Sequence, residues 1–240
     1  MTILADIHSN LAAFEAVLKD SEDRRGLDKI WCLGDIVGYG PEPDECIARL
    51  RQFDHVCIAG NHDWAAIGKI DTFEFNPAAA IAAQWTAQEL TADGKDYLTG
   101  LPLTLNVDGF TLAHGSPQEP IWEYLLSLSA AQENFAHFET PYCLVGHSHV
   151  PLIFELDGKQ VMLREFGEAE VILSTNRMII NPGSVGQPRD GDPRASYAIY
   201  DTVRKTIGHY RVDYDIAATQ KKMTEFDLPR PLIQRLSYGR

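Results

Sequence analysis

Five apolar stretches of this 240-residue chain each end abruptly in side chains that bind metals or transfer protons. The polar residues at these ends are Asp6 and His8, Asp35, Asn61 and His62, His114, and His147 and His149. A buried strand has no structural need for such residues at its tip, whereas a metal site or an acid–base site does, because the rigid end of a sheet holds ligands in place. The repetition predicts one shared site at the ends of several strands.

The spacing of these residues supports a shared metal site. Asp6 and His8 are two positions apart, and alternate residues of an extended strand point the same way. His147 and His149 repeat this spacing. Carboxylate, amide and imidazole groups together suit a borderline divalent ion such as Mn, Fe, Zn or Ni. The set exceeds what one ion needs, so with a bridging carboxylate it fits two ions about 3.5–4 Å apart, a pair that activates a shared water for attack on phosphorus.

The elements that must position these residues alternate between strand and helix in the first third of the chain. Apolar runs at 2–5, 30–33 and 55–59 predict short buried strands. Between them, Asn10 can cap a helix that Gly26 ends, and residues 43–53 have the spacing of an amphipathic helix. This order predicts a parallel sheet with helical crossovers.

The later segments predict helices and antiparallel strands. Helices are predicted at 77–90, at 125–138 and in a tail over 214–240. Asp108-Gly109 and Asp157-Gly158 are hairpin signals, and 196–200 with 206–210 predict a last antiparallel pair. We expect one domain over 1–240, in which residues 64–101 form either a lid over the site or a packed helical insert.

Composition limits the possible partners and location. A formal net charge of −13 argues against stable nucleic-acid binding, because an acidic surface repels phosphate backbones. The four cysteines form no Cys-x-x-Cys pair and are expected to be reduced and buried. No signal peptide and no run of membrane-spanning length is evident, so we expect a cytoplasmic protein without a membrane partner.

The order of the motifs resembles the calcineurin-like metallophosphoesterase superfamily, and within it the small bacterial and archaeal phosphodiesterase-like members. The motifs are Asp-x-His, Gly-Asp, Gly-Asn-His-Asp, His-Gly and Gly-His-x-His, which span residues 6–149. Asn-Pro-Gly-Ser at 181–184 extends the likeness to about residue 200. The resemblance implies an α/β fold in which a β-sandwich of two mixed sheets is flanked by helices, a four-layer arrangement with the metals at the strand ends.

The resemblance also implies a role for each motif residue. One metal would be held by Asp6, His8, Asp35 and His149, and the other by Asp35, Asn61, His114 and His147, with Asp35 bridging. His62 would face the substrate and protonate the leaving oxygen, or stabilise charge on it, since an imidazole can donate a proton near neutral pH.

The implied activity is that of a metal-dependent phosphoric ester hydrolase. We expect a phosphodiesterase that uses two divalent ions, most often Mn, and hydrolyses a small phosphorylated molecule through a metal-bridging hydroxide. A phosphomonoesterase and a dinucleoside polyphosphate hydrolase are the alternatives, and a non-catalytic metal-binding scaffold is a third.

The second motif departs from the pattern of the superfamily's Ser/Thr protein phosphatases, Gly-Asp-x-Val-Asp-Arg-Gly. Gly38 replaces the aspartate that supports the catalytic histidine, and Tyr39 replaces an arginine that grips phosphate. Protein phosphatase activity is therefore not expected, and Asp63 becomes the candidate residue for orienting His62.

Substrate contacts are predicted from residues close to the motifs. Tyr39, Trp64, Trp122 and Tyr124 are candidates for stacking on a base or aryl group, with ordinary packing as the alternative. Arg189 and Arg194 are candidates for binding a phosphate oxygen, with a structural loop as the alternative.

Overall fold

The computed structural model describes residues 1–167, 170–173 and 175–240. The strands are β1 (Thr2–Leu4), β2 (Ile30–Cys32), β3 (His55–Cys57), β4 (Thr104–Val107), β5 (Phe110–Ala113), β6 (Tyr142–Leu144), β7 (Leu152–Asp157), β8 (Gln160–Arg164), β9 (Val171–Ile172), β10 (Arg177–Asn181), β11 (Ala195–Asp201) and β12 (Thr206–Val212). The helices are α1 (Leu11–Asp23), α2 (Pro43–Leu50), α3 (Asn61–Ala66), α4 (Pro77–Glu89), α5 (Ala92–Thr99), α6 (Leu128–Asn134), α7 (Ile216–Glu225) and α8 (Arg230–Arg235).

The strands form two mixed sheets of six strands in the described part of the chain. The first has the order β3-β2-β1-β11-β12-β9, and the second β4-β5-β6-β10-β7-β8. In the first sheet β1, β2 and β3 are parallel, as the alternation of strands and helices predicted. In the second, β5, β6 and β10 are parallel. Parallel strands end at the same edge of a sheet, so the polar segments that follow them are brought together there.

Successive residues of the central strands pack into different layers. Ile3 lies in the cluster that joins the two sheets, where it meets Phe110 of the second sheet. Its neighbour Leu4 faces outward and packs with Phe14 of α1. The outer face of the second sheet is covered by α6 and Phe135. The central strands are therefore buried on both faces, which explains why they appear in the sequence as continuous apolar runs. The four-layer α/β sandwich predicted from the resemblance is confirmed.

Some element boundaries differ from the prediction. Strand β3 stops at Cys57 and helix α2 at Leu50, and α6 covers only the middle of the predicted 125–138 helix. Helices α3 and α5 were not predicted. Helix α3 begins at Asn61, so the polar residues of this motif form the first turn of a helix and not a loop.

The C-terminal helices and the segment after the third motif pack together beside the motif residues. Tyr39 lies in one cluster with Ala79 of α4, Met223 of α7 and Leu232 of α8. Helix α7 is also tied to the start of α1, because the Thr219 hydroxyl donates to Asn10 Oδ1 at 3.0 Å. In the described residues, no helix is both long enough and apolar enough to cross a bilayer.

Candidate metal centre

The residues of all five motifs converge at the edge where the parallel strands of the two sheets end. Their ligand atoms form three overlapping groups, each with atoms within 4.8 Å of one another. The groups are Asp6, His8 and His149; His8, Asp35 and His62; and Asp35, His114 and His147. Asn61 joins the third group, since its Oδ1 lies 3.1 Å from Nε2 of His114. Asp35 therefore lies between two clusters of candidate ligands.

The direction of these side chains is set by an unusual backbone conformation and not by the alternation of residues along a strand. The torsion φ is +55° at Asp6, +51° at His8, +52° at Asp35, +63° at His147 and +60° at His149. Residues other than glycine seldom occupy this left-handed region, and such conformations concentrate at functional sites. The expectation that i and i+2 converge because they continue an extended strand is wrong, because each of these residues lies past its strand in a left-handed turn.

Hydrogen bonds to backbone carbonyls fix which nitrogen of each ring is free. Nδ1 donates to Val37 O at 3.1 Å in His8, to Leu33 O at 2.8 Å in His114 and to Gln187 O at 2.6 Å in His149. In His147 the roles are reversed, because Nε2 donates to Trp122 O at 3.2 Å. A carbonyl accepts only from a protonated nitrogen, so the opposite nitrogen carries the lone pair that a metal needs.

The free lone pairs face one another and face carboxylates. Nε2 of His8 and Nε2 of His149 are 3.1 Å apart, and Nε2 of His114 is 3.3 Å from Asp35 Oδ2. Oδ2 of Asp6 and Oδ2 of Asp35 are buried and have no hydrogen-bond partner among the described residues. These buried oxygens and nitrogens are all acceptors and have no donor to bind. Cations bound between them would satisfy them. The residues present therefore fit divalent metal ions.

Burial shapes the charge state of the cluster. Burial raises the pKa of Asp6 to about 7 and lowers that of His147 to about 3. Burial also works against the ionisation of Asp35, yet the charges of His114 and His62 hold the pKa of Asp35 below its ordinary range. For His114, burial is likewise outweighed by the charge of Asp35, which raises its pKa to about 10. The ionised carboxylate of Asp35 and the neutral ring of His147 are already in the forms that bind metals, whereas His114 would release a proton when a metal binds.

His62 is held by aromatic packing. Its ring centroid lies 4.2 Å from that of Tyr39 and 4.7 Å from that of Phe75, on which it stacks. Its Nδ1 is buried without a partner among the described residues, and burial lowers its pKa to about 4. A Cβ on Gly38, whose φ is +92°, would lie 2.5 Å from His62 Nδ1. No side chain fits at position 38, so the missing aspartate of the protein phosphatase pattern has no room in this chain.

Asp63 does not orient His62, and that expectation is wrong. Its carboxylate accepts three backbone N–H groups, from Asp35 at 2.8 Å, Gly60 at 3.0 Å and Val37 at 3.1 Å. These bonds join the start of α3 to the loop after β2. Asp63 therefore holds two ligand segments in register, a role that its position next to His62 did not reveal.

A further pair of positioning residues comes from the 181–184 segment. Asn181 Nδ2 donates to Gly146 O at 2.7 Å and to Ser148 Oγ at 3.0 Å, which braces the loop that carries His147. The Ser184 hydroxyl donates to Asp6 O at 2.9 Å. The Asn-Pro-Gly-Ser motif was recognised from the sequence, but its contacts to two other motifs were not.

A cavity of about 300 Å³ opens over the cluster. The candidate substrate contacts Tyr39, Trp122, Tyr124 and Arg189 are among the residues that line it. Trp64 is not among the lining residues. The Lys69 ammonium lies over the Trp64 ring, 5.3 Å from the ring centroid. The prediction that Trp64 contacts the substrate is therefore wrong.

Arg194 does not line the cavity, and four residues that were not predicted do. Arg194 is engaged with Asp192 and lies away from the cavity lining. The cavity residues that the sequence did not reveal are Glu74, Phe75, Asn76 and Arg235. The sequence Asn76-Pro77 is typical of a helix start, and the Asn76 side chain does cap α4. This pattern could have placed Glu74, Phe75 and Asn76 at a helix start near the site. Nothing in the local sequence marked Arg235.

Comparisons with known proteins identify the class to which this fold and site belong. Residues 1–205 match the calcineurin-like phosphoesterase superfamily domain, and the chain belongs to that superfamily. The chain is thus a metal-dependent phosphoric ester hydrolase.

Individual relatives support this assignment over the whole chain and over part of it. An uncharacterized protein from Methanocaldococcus jannaschii is 39% identical over 246 residues, covering 100% of this chain and 98% of that protein. The crystal structure of a metallophosphoesterase from Sphaerobacter thermophilus is 45% identical with a TM-score of 0.90, covering 100% of this chain and 98% of that one. The symmetrical bis(5'-nucleosyl)-tetraphosphatase of Vibrio cholerae is 29% identical over 139 residues, which are 55% of this chain and 49% of that protein.

Proposed function

We propose that the chain is a dinuclear phosphodiesterase that hydrolyses a small phosphorylated molecule. The observation that carries the proposal is the position of Asp35, whose Oδ2 lies 3.6 Å from Nε2 of His8 in one cluster and 3.3 Å from Nε2 of His114 in the other. A carboxylate between two sets of nitrogen ligands is the arrangement that a bridging ligand requires.

The proposed ligand sets follow the two clusters. Asp6, His8, Asp35 and His149 would hold one ion, and Asp35, Asn61, His114 and His147 the other. When bound, two such ions supply Lewis-acid activation of water and neutralise charge that develops at phosphorus. Manganese is the ion we propose to test first, because nitrogen and oxygen ligands of this kind accept it without a thiolate.

The remaining residues of the site would bind substrate and move a proton. His62 lies at the cavity with its ring fixed by Tyr39 and Phe75. Burial lowers its pKa to about 4, and the negative charge of a bound phosphoryl group would raise that pKa again. The ring would then protonate the departing oxygen or stabilise the charge on it. Arg189 donates to Tyr39 Oη at 3.3 Å and presents its guanidinium to a phosphoryl oxygen. Trp122, whose ring meets that of Phe75 edge to face, offers an apolar wall for the leaving group.

The size of the cavity supports a small substrate. About 300 Å³ is at the lower end of the range of about 300–1,000 Å³ for small-molecule sites. The segment 64–101 supplies Glu74, Phe75 and Asn76 to its wall, which supports the hypothesis that this segment covers the site. The scaffold alternative is disfavoured, because every proposed ligand and His62 are present at the site.

A second candidate function is the hydrolysis of a dinucleoside polyphosphate. It is favoured by the partial similarity to the Vibrio cholerae tetraphosphatase, which covers 139 residues of alignment. The two functions share the ligand set and differ in the bond that is cleaved, an ester in the first and an anhydride in the second.

The test is a substrate panel assayed with metal-stripped and manganese-loaded protein. We expect manganese-dependent hydrolysis of bis-p-nitrophenyl phosphate or of a dinucleoside tetraphosphate at a higher kcat/KM than that of p-nitrophenyl phosphate. Asp35→Asn should lose bound metal and hydrolysis together. Absence of metal-dependent hydrolysis across the panel would contradict the proposal, and a preference for the monoester would replace the diesterase with a phosphomonoesterase.

A further inference from the structure

Two arginine side chains from distant parts of the chain line the same cavity. They are Arg189, in the loop before β11, and Arg235, in α8. Among the residues that the structure describes, neither arginine pairs with an Asp or Glu side chain, whereas the nearby Arg211 pairs with Asp190. Arg235 Nε donates to Arg240 O, which leaves the two terminal nitrogens of its guanidinium for a ligand. Such nitrogens in a concave site can bind an anion, and their planar arrangement matches a phosphoryl group.

Arg189 faces the metal-ligand cluster. One of its terminal nitrogens donates to Gln187 Oε1 at 3.0 Å and to Tyr39 Oη at 3.3 Å, while its Nε is buried without a partner among the described residues. The backbone N–H of Arg189 donates to His149 O at 3.3 Å, and Arg189 lines the cavity together with His147 and His149. Arg189 is therefore positioned for the phosphoryl group that reacts.

Arg235 is fixed in place by the packing of α8. Leu232 and Leu236 on either side of it are buried in the cluster that also contains Tyr39. Burial lowers the pKa of Arg235, and the charge of Arg189 lowers it further, whereas Tyr39 and Tyr124 act in the opposite direction. The second guanidinium therefore belongs to the cavity that Arg189 and Tyr124 also line. Glu74, the remaining carboxylate of the lining outside the proposed metal ligands, is exposed, so water screens its charge.

We propose that Arg235 binds a second phosphoryl group of the substrate, next to the attacked one that Arg189 contacts. Two cations on one side of a small cavity exceed what a diester with a single negative charge can neutralise, and they suit two linked phosphoryl groups. This inference rests on the proposed hydrolase function and favours its second candidate, the hydrolysis of a phosphoanhydride, over the cleavage of an ester.

The bond changes of this reaction balance without a further reactant. The oxygen of a water molecule forms a bond to the attacked phosphorus, and the bond from that phosphorus to the bridging oxygen breaks. The departing phosphoryl group keeps the bridging oxygen, and Arg235 neutralises the negative charge that develops on it. His62 gives a proton to the departing group and is restored by a proton from the water.

The test compares two anions on the manganese-loaded full chain by titration calorimetry. Methylenediphosphonate carries two phosphoryl groups joined by carbon, so it binds without being cleaved, and inorganic phosphate carries one. Arg235→Gln should lower the affinity for methylenediphosphonate by about 10-fold or more, the effect of one charge-assisted hydrogen bond. It should lower the affinity for inorganic phosphate by less than about 2-fold, because that ion is held at the metals and Arg189.

Two further variants make the result specific. Arg230→Gln removes an exposed arginine from the same helix and should change neither affinity. Arg235→Lys keeps the charge without the planar fork and should give an intermediate loss for methylenediphosphonate, which also decides the question if Arg235→Gln fails to fold.

The remaining outcomes overturn the inference. Unchanged methylenediphosphonate affinity in Arg235→Gln would show that the residue does not touch a second phosphoryl group. An equal loss for both anions would show that Arg235 supports the cavity as a whole. Failure of the hydrolase proposal is separately visible, because manganese-dependent hydrolysis would then be absent in the wild-type chain even if the two anions were still distinguished by Arg235.

Discussion

Nε2 of His8 and Nε2 of His149 face each other at 3.1 Å across the site, although the two residues are 141 positions apart in the chain. Each ring is locked from behind, because its Nδ1 donates to a backbone carbonyl. Two lone pairs held this close repel unless a positive charge lies between them. The fold has therefore built the ligand geometry in advance, in a buried place where reorganisation upon metal binding is small.

Removing one of these rings should remove one ion. For His149→Ala we expect bound manganese to fall from about two ions to about one per chain, because the cluster of Asp35, His114 and His147 remains intact. The measurement is metal content by inductively coupled plasma mass spectrometry after gel filtration. His137→Ala, which removes an exposed histidine, is the matched control and should keep both ions. Full occupancy in His149→Ala would show that His149 is no ligand.

His62 should matter for turnover and not for metal content. His62→Ala should lower kcat by about 10²–10⁴-fold, the usual contribution of a general acid, with both ions retained. The loss should be larger for a substrate with a poor leaving group than for a p-nitrophenyl ester, since a good leaving group departs without a proton. Equal losses for both leaving groups would remove the role of proton donor.

Gly38 should be irreplaceable because of its neighbour. In Gly38→Ala the new methyl group would lie 2.5 Å from His62 Nδ1, so the ring must move, and a displacement of about 1 Å can cost about 10²-fold in rate. Gly68→Ala is the matched control, since Gly68 has a similar positive φ of +72° with no atom within 4 Å of the added methyl group. Both variants share the backbone strain of about 1–2 kcal/mol, and steady-state kinetics separates the clash from it. Equal activity in the two variants would contradict the account.

Asp63 should stabilise the fold through its three backbone contacts. Asp63→Ala leaves buried N–H groups of Asp35, Gly60 and Val37 without their acceptor, at about 1–3 kcal/mol each. We expect the free energy of unfolding in urea to fall by more than about 3 kcal/mol. Asp63→Asn, which keeps one side-chain oxygen, should lose less. A loss below about 1 kcal/mol in Asp63→Ala would mean that water replaces the carboxylate.

The candidate ligands and the fold could be predicted from the sequence. The turns that carry the ligands and several residues of the cavity wall could not. The ligands were visible because each follows an apolar strand, and the order of the motifs is specific. The left-handed turns at Asp6 and Asp35 were not visible, because aspartate is not a residue that demands them. Arg235 and Phe75 reach the cavity through tertiary packing of segments that lie far from the motifs, which local patterns do not encode. Trp64 was misplaced for the same reason, since α3 turns it away from the cavity.

Protonation of His209, which lies outside the site, should lower the free energy of unfolding in acid. Burial, and then the charge of Arg211, lowers the pKa of His209 from 6.5 to about 4, and its Nε2 lies 2.8 Å from Ser196 Oγ. A histidine with a depressed folded-state pKa is protonated more readily when unfolded. The resulting penalty is absent above pH 6.5 and grows as the pH falls to about 4. The free energy of unfolding of His209→Gln should decline less than that of the wild type over this interval, and parallel declines would contradict the assignment.

Anomalous diffraction from crystals grown with manganese tests the central claim most directly. We expect two anomalous peaks in each chain, one bonded to Asp6, His8 and His149 and the other to Asn61, His114 and His147, with Asp35 in contact with both. A single peak, or peaks that leave Asp35 without a metal contact, would contradict it.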